Sequence, residues 1–99
     1  MKESLFKSEK HRRFVESLPC IIAHQGGCSG DVICHHVGGL HWTGSIKRQN
    51  DYLSCPMCVF HHEEVHRIGK GSFEEKYAVV WRNEIIKVLM RRIKKLEGK

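Results

Sequence analysis

Within thirteen positions, CPMCVFHHEEVHR at residues 55 to 67, this sequence gathers two cysteines and three histidines, five side chains able to ligate a transition metal. Neighbours on a helix point roughly 100° apart, so His61 and His62 can hardly serve the same ion: either one is idle or two sites meet here. His62 and His66 are i and i+4, project from one helical face and can chelate together. A third ligand must come from elsewhere, and the pair His35-His36 is the evident supplier. Consecutive residues on a strand point to opposite sides, so one of these can bind the ion while the other faces a substrate.

The cysteines describe a second site. Cys58-x2-His61 would lie on one side of a helix start, and Cys20-x7-Cys28 could form the two ends of a glycine-containing turn. Together they make four ligands suited to tetrahedral Zn2+ in a closed structural site. Cys55-x2-Cys58 is a competing pair in which Cys55 could replace His61, and Cys34 could also enter. The alternative is a set of small buried thiols.

Four stretches must position these groups. Residues 4–18 carry apolar side chains at helical spacing and predict a short amphipathic helix ending before Pro19. Ile21-Ile22 and Val32-Ile33, interrupted by glycines, predict turns and a small hairpin. Residues 38–51 read as a polar loop holding Lys47 and Arg48. A helix is expected from Val59 to about Arg67, stopped by Gly69 and Gly71. Another begins at Ser72, with a Ser72/Glu75 capping box, and carries an apolar stripe from Phe73 to Leu96. The expectation is a single α+β domain over 1–99: a helical arm (1–19), a zinc-bearing core (20–71) and a C-terminal helix (72–99).

At 99 residues the chain has room for a modest core, which bound metal would reinforce. The first twenty residues are charged and lack an apolar h-region, so no signal peptide is expected, and no run is long enough to span a bilayer. Thiols in a cytoplasmic protein stay reduced, which favours metal ligation over disulfides for the five cysteines. The net charge of +6 suits an anionic partner, nucleic acid first. A solvated basic surface is the plainer reading of the same charges, including those at the end of the last helix.

The ordered set of L-P-C at 18–20, H-H at 35–36, N-D-Y-L-S-C-P-M-C at 50–58, H-H-E-E-V-H-R at 61–67 and F-E-E-K-Y at 73–77 resembles the HNH (ββα-metal) nucleases. The likeness is closest to small phage and prophage enzymes of the Ref type, which enhance recombination. That resemblance implies a zinc-stabilised ββα-metal domain and a DNA endonuclease leaving 5′-phosphate and 3′-hydroxyl ends. It implies that His35 holds the catalytic ion with His62 and His66, and that His36 is the general base. Cys20, Cys28, Cys58 and His61 would hold structural zinc. The asparagine that steadies the base has its nearest match at Asn50 or Asp51, with Asn50 standing for it. Lys47, Arg48 and Arg67 would contact DNA phosphates. Mg2+ or Mn2+ is the expected catalytic ion, although three imidazoles also suit Zn2+, Ni2+ or Co2+. RecA-coated DNA is the partner that the Ref-type likeness implies. A zinc-stabilised DNA-binding module without catalysis is the alternative reading.

Overall fold

In the computed structural model, residues 7–37 and 50–98 are described. Helix α1 runs Glu9–Glu16, started by Ser8, whose Oγ accepts the His11 N–H at 3.0 Å. That cap sets the start later than the apolar spacing predicts, and the turn through Ser17 ends the helix ahead of Pro19. After a single 3-10 turn at Ala23–Gln25, strand β1 covers Val32–His36 and pairs antiparallel with β2, Ser54–Cys58.

The hairpin therefore differs from the predicted one. Val32 and Ile33 pair with Cys58 and Met57, whereas Ile21 contributes one backbone bond to the Pro56 carbonyl and Ile22 is buried beside the 3-10 turn. Strand β2 is hard to read from sequence because all five of its residues are buried, so no polar–apolar alternation marks it. Pro56 within it also argues against a strand.

Helix α2, Val59–Ile68, follows β2 directly and ends at Gly69, where φ is 92°, a conformation that a side chain would disfavour. The chain does not pause there. Helix α3, Lys70–Tyr77, starts at once, so Gly71 and Ser72 lie inside it and the predicted capping box at Ser72 does not form. The boundary expected between 71 and 72 likewise falls within α3.

The long stripe from Phe73 onward belongs to two helices. Ala78 adopts a left-handed conformation (φ 56°, ψ 41°), and α4 then runs Trp81–Glu97. Glu74 stabilises the break, taking the Val79 N–H on its carbonyl and the Trp81 N–H on its carboxylate. The bend lets Phe73 and Trp81 stack at 5.4 Å, both buried, an arrangement that one straight helix would not give. α1 packs across both strands and α4 across β2, enclosing Val15, Met57, Phe73, Ile85 and Val88. Each such side chain contributes about 1.5–3 kcal/mol through burial. Among the described residues no helix is long and apolar enough to cross a membrane.

Candidate metal centres

The strand-to-helix junction builds the first centre. Cys58 ends β2 and caps α2, its sulfur receiving the His61 N–H at 3.4 Å. The Val59 and Phe60 N–H groups are taken by the carbonyls of Asp31 and Ser29, which draws the loop after Cys28 against the helix start. Gly30 permits that approach: a Cβ there would meet the Val59 Cβ at 2.9 Å. The ligand atoms of Cys20, Cys28, Cys58 and His61 all lie within 4.8 Å of one another. His61 Nδ1 stands 3.7, 3.7 and 3.1 Å from the sulfurs of Cys20, Cys28 and Cys58. Zn–S and Zn–N bonds of about 2.3 and 2.0–2.1 Å at a tetrahedral ion separate such atoms by roughly 3.5 Å, so the set fits zinc.

The electrostatics agree. Burial pushes the Cys58 thiol up, but the backbone N–H groups of His61 and Ser29 and the neighbouring thiols of Cys28 and Cys20 outweigh it and bring its pKa down. Cys55 and Cys34 are outside the cluster. Cys55 is fully buried opposite His35 in the sheet, and burial drives its thiol well above the ordinary range. Cys34 is half-buried with its thiol also raised by burial. No disulfide forms among the described residues.

The second centre lies on another face of α2. His62 and His66 turn their Nε2 atoms to within 3.2 Å of each other, and the His35 ring lies 5.0 Å from His62 and 6.2 Å from His66 between centroids. The three ligand atoms again fall within 4.8 Å. Two nitrogens about 2.0–2.1 Å from a common ion are separated by roughly 3.0–3.4 Å, which is the His62–His66 spacing.

His35 supplies the sharper test of fit. Its Nε2 is buried without a hydrogen-bond partner, a costly arrangement for a ring nitrogen. A bound cation would satisfy it. Burial, followed by the charges of His62 and His66, pushes its pKa down to about 3, so the imidazole stays neutral and able to ligate. Trp81 packs beside the ring at 5.4 Å and covers that side of the site. Both groups of residues could hold a metal ion such as zinc. The cysteine set is four-membered and closed, while the three-histidine set leaves coordination positions for water or substrate.

His36 follows His35 as the last residue of β1. Its Nε2 lies 2.7 Å from Asp51 Oδ1, and Asp51 is only 2 % exposed. The Ser8 N–H donates to the other carboxylate oxygen at 2.6 Å, and Arg12 Nε stands 3.3 Å from it. Burial pushes the Asp51 carboxyl up, but Ser8, His36 and Arg12 together hold its pKa below the ordinary value. Asp51 therefore holds His36, whereas Asn50, the residue expected there, accepts the Tyr52 N–H at 2.9 Å and stabilises the turn. No fixed spacing from His36 distinguishes Asp51 from Asn50 in sequence; only the fold does.

Glu64 ties the helix of both centres to its neighbour. It is buried one turn beyond His61 and accepts from Lys76 and the Tyr77 hydroxyl, fixing α3 against the helix that carries both centres. Hydrogen bonds from Lys76 and then Tyr77 hold its pKa down. Its one signal was the i+3 spacing from His61. Arg67 is exposed in the last turn of α2, 4.0 Å from Glu64. Lys47 and Arg48 lie outside the described residues.

No curated protein and no solved structure matches the chain. One family model does, over residues 1–93, and its description is a protein of unknown function, DUF968. A match of that extent, spanning both metal-ligand sets and reaching into α4, shows that the chain belongs to the DUF968 family.

Proposed function

We infer that the protein is a metal-dependent DNA endonuclease of the HNH, ββα-metal kind. The observation that carries this reading is the partnerless, buried Nε2 of His35 facing His62 and His66, with His36 next to it in the chain and held by a buried carboxylate. Structural zinc at Cys20, Cys28, Cys58 and His61 would fix β2 to α2 and so fix the histidine geometry. The antiparallel β1–β2 pair followed by α2 gives the element order that the name ββα describes.

The chemistry follows from the tautomer of His36. Ionised Asp51 can only accept, so His36 Nε2 carries the proton and Nδ1 keeps the free lone pair. Nδ1 would take a proton from water as its oxygen bonds to phosphorus. The bond from phosphorus to the 3′ oxygen breaks, that oxygen takes a proton from solvent, and 5′-phosphate and 3′-hydroxyl ends result. A divalent ion at the three histidines, Mg2+ or Mn2+ with Zn2+, Ni2+ or Co2+ as alternatives, supplies stabilisation of negative charge on phosphorus and the departing oxygen. The net charge of +6 supports a polyanionic substrate, and Arg67, exposed beside His66, is available to a flanking phosphate. A role in phage or prophage recombination, on RecA-coated DNA, rests on the Ref-type likeness of the motifs.

Nicking of supercoiled plasmid, naked and RecA-coated, tests the reading. Expected are nicks that EDTA abolishes, that divalent ions restore, and that carry 5′-phosphate ends. A wild-type protein binding both DNA forms without cutting either would make it a zinc-stabilised DNA-binding module instead.

A further inference from the structure

Gly69 turns the chain between α2 and α3 with φ 92°, so α3 starts at once with Lys70, four positions after His66. The Lys70 carbonyl accepts the Trp81 Nε1–H at 3.3 Å, and that indole lies 5.4 Å from the His35 ring between centroids. One aromatic ring therefore ties the Lys70 backbone to the buried ligand of the three-histidine centre. Lys70 is half-buried, whereas the other lysines among the described residues are exposed. Its charge reaches the ligand. Burial and the neighbouring His62, His66 and His36 hold the His35 pKa down, and Lys70 adds to them.

The charges around the trio do not balance once an ion is bound. Imidazoles ligate as neutral groups, so a divalent ion keeps its full charge. Lys70 and Arg67 add to it, Arg67 being exposed and 4.0 Å from Glu64, a carboxylate that Lys76 also pairs. Asp51 is taken up by His36, Ser8 and Arg12. Among the described residues, Glu63 is the carboxylate felt at the trio: exposed next to His62, it opposes the lowering of that pKa by burial and His66. A single exposed carboxylate does not neutralise a divalent ion with a lysine beside it, so the centre attracts a further anion. A phosphodiester brings one negative charge and two non-bridging oxygens, and a lysine ammonium binds phosphate as a point charge. With three donors, that ammonium can meet a phosphate as well as partners within the chain.

We propose that Lys70 is a phosphate-binding residue of the three-histidine centre, its ammonium holding a non-bridging oxygen of the scissile phosphodiester. The proposal rests on the nuclease reading and deepens it, since it names the group that holds the substrate on the side of the ion covered by Trp81.

Phosphorus-31 line broadening tests it, with inorganic phosphate as the probe and the full chain carrying its zinc and Mn2+ at the three histidines. Wild type should bind phosphate, and His62→Ala, which loses the ion, should not broaden the signal. Lys70→Ala should raise the phosphate dissociation constant roughly three- to thirty-fold, the loss of one charge-assisted contact at a partly solvated site. Its Mn2+ affinity without phosphate should stay equal or rise, because a like charge has been removed; a merely structural lysine would lower it. Lys70→Arg should restore phosphate binding. Wild-type phosphate affinity in Lys70→Ala, loss of Mn2+ together with phosphate in that variant, or no rescue by arginine would overturn the proposal. So would a wild type that binds no phosphate, or phosphate displaced by an equal concentration of acetate. Plasmid nicking separates the two readings. Phosphate held through Lys70 by a protein that cuts no DNA removes the nuclease reading and leaves the phosphate site, whereas metal-dependent nicking with unchanged phosphate affinity in Lys70→Ala removes the lysine alone.

Discussion

The adjacent histidines His61 and His62 divide α2 between two tasks. Their side chains point to different sides, one into the four-ligand set and the other into the three-histidine set. That separation was legible because it depends only on helical geometry, and the i,i+4 pairing of His62 with His66 was legible for the same reason. The choice between His61 and Cys55 was not, because Cys55 turns into the core according to a strand register that the sequence leaves open. The two sites should respond differently to substitution. His62→Ala should lose one bound ion per chain with a small change in thermal stability, whereas Cys58→Ala should lose the other and unfold the domain, because structural zinc contributes folding free energy directly. Metal analysis and thermal melts on the two variants read this, and equal destabilisation would contradict the division. Asp51→Asn should lower plasmid cleavage about tenfold or more at unchanged metal content, because an amide no longer enforces the His36 tautomer. Unchanged cleavage rates would remove Asp51 from the positioning role.

At the level of elements, α2 was well marked: a ligand-bearing start and a glycine at its end bound it. The single helix expected after Ser72 was less well founded. Apolar spacing continues across Ala78 without a break, since Phe73, Trp81, Ile85 and Val88 all serve one core from two helices. Periodicity reports which residues face inward and is blind to a bend that keeps them inward. The bend itself rests on a left-handed alanine, which costs about 1–2 kcal/mol relative to a residue free of that clash. Ala78→Gly should therefore raise stability by about 0.5–1 kcal/mol, the relief being partly offset by the added freedom of glycine in the unfolded chain. Chemical denaturation measures it, and a loss of stability would mean that Ala78 does not hold that conformation.

Across the whole molecule, α1 and α4 meet at His11. It is fully buried, it accepts from Arg92 at Nδ1 at 3.0 Å, and its Nε2 has no partner. Burial and then Arg92 lower its pKa, against the opposing influence of Asp51. The folded chain thus keeps His11 neutral where the unfolded chain would take up a proton. Stability held above the unfolded value of about 6.5 is then lost as pH falls below it. His11→Gln should show a smaller loss between pH 7.5 and 5.5 than the wild type, by denaturation at the two pH values; equal losses would contradict it. Through Arg12 and Ser8 the same helix α1 also holds Asp51. The helical arm was legible as a helix, but its part in steadying His36 was not, because that contact links residues 43 positions apart. The most direct test of the central claim is the single-turnover cleavage rate of His36→Ala against wild type at matched metal content. A general base predicts a loss of roughly 10²–10⁴-fold with both metal sites still filled, and equal rates would contradict the assignment of this site to phosphodiester hydrolysis.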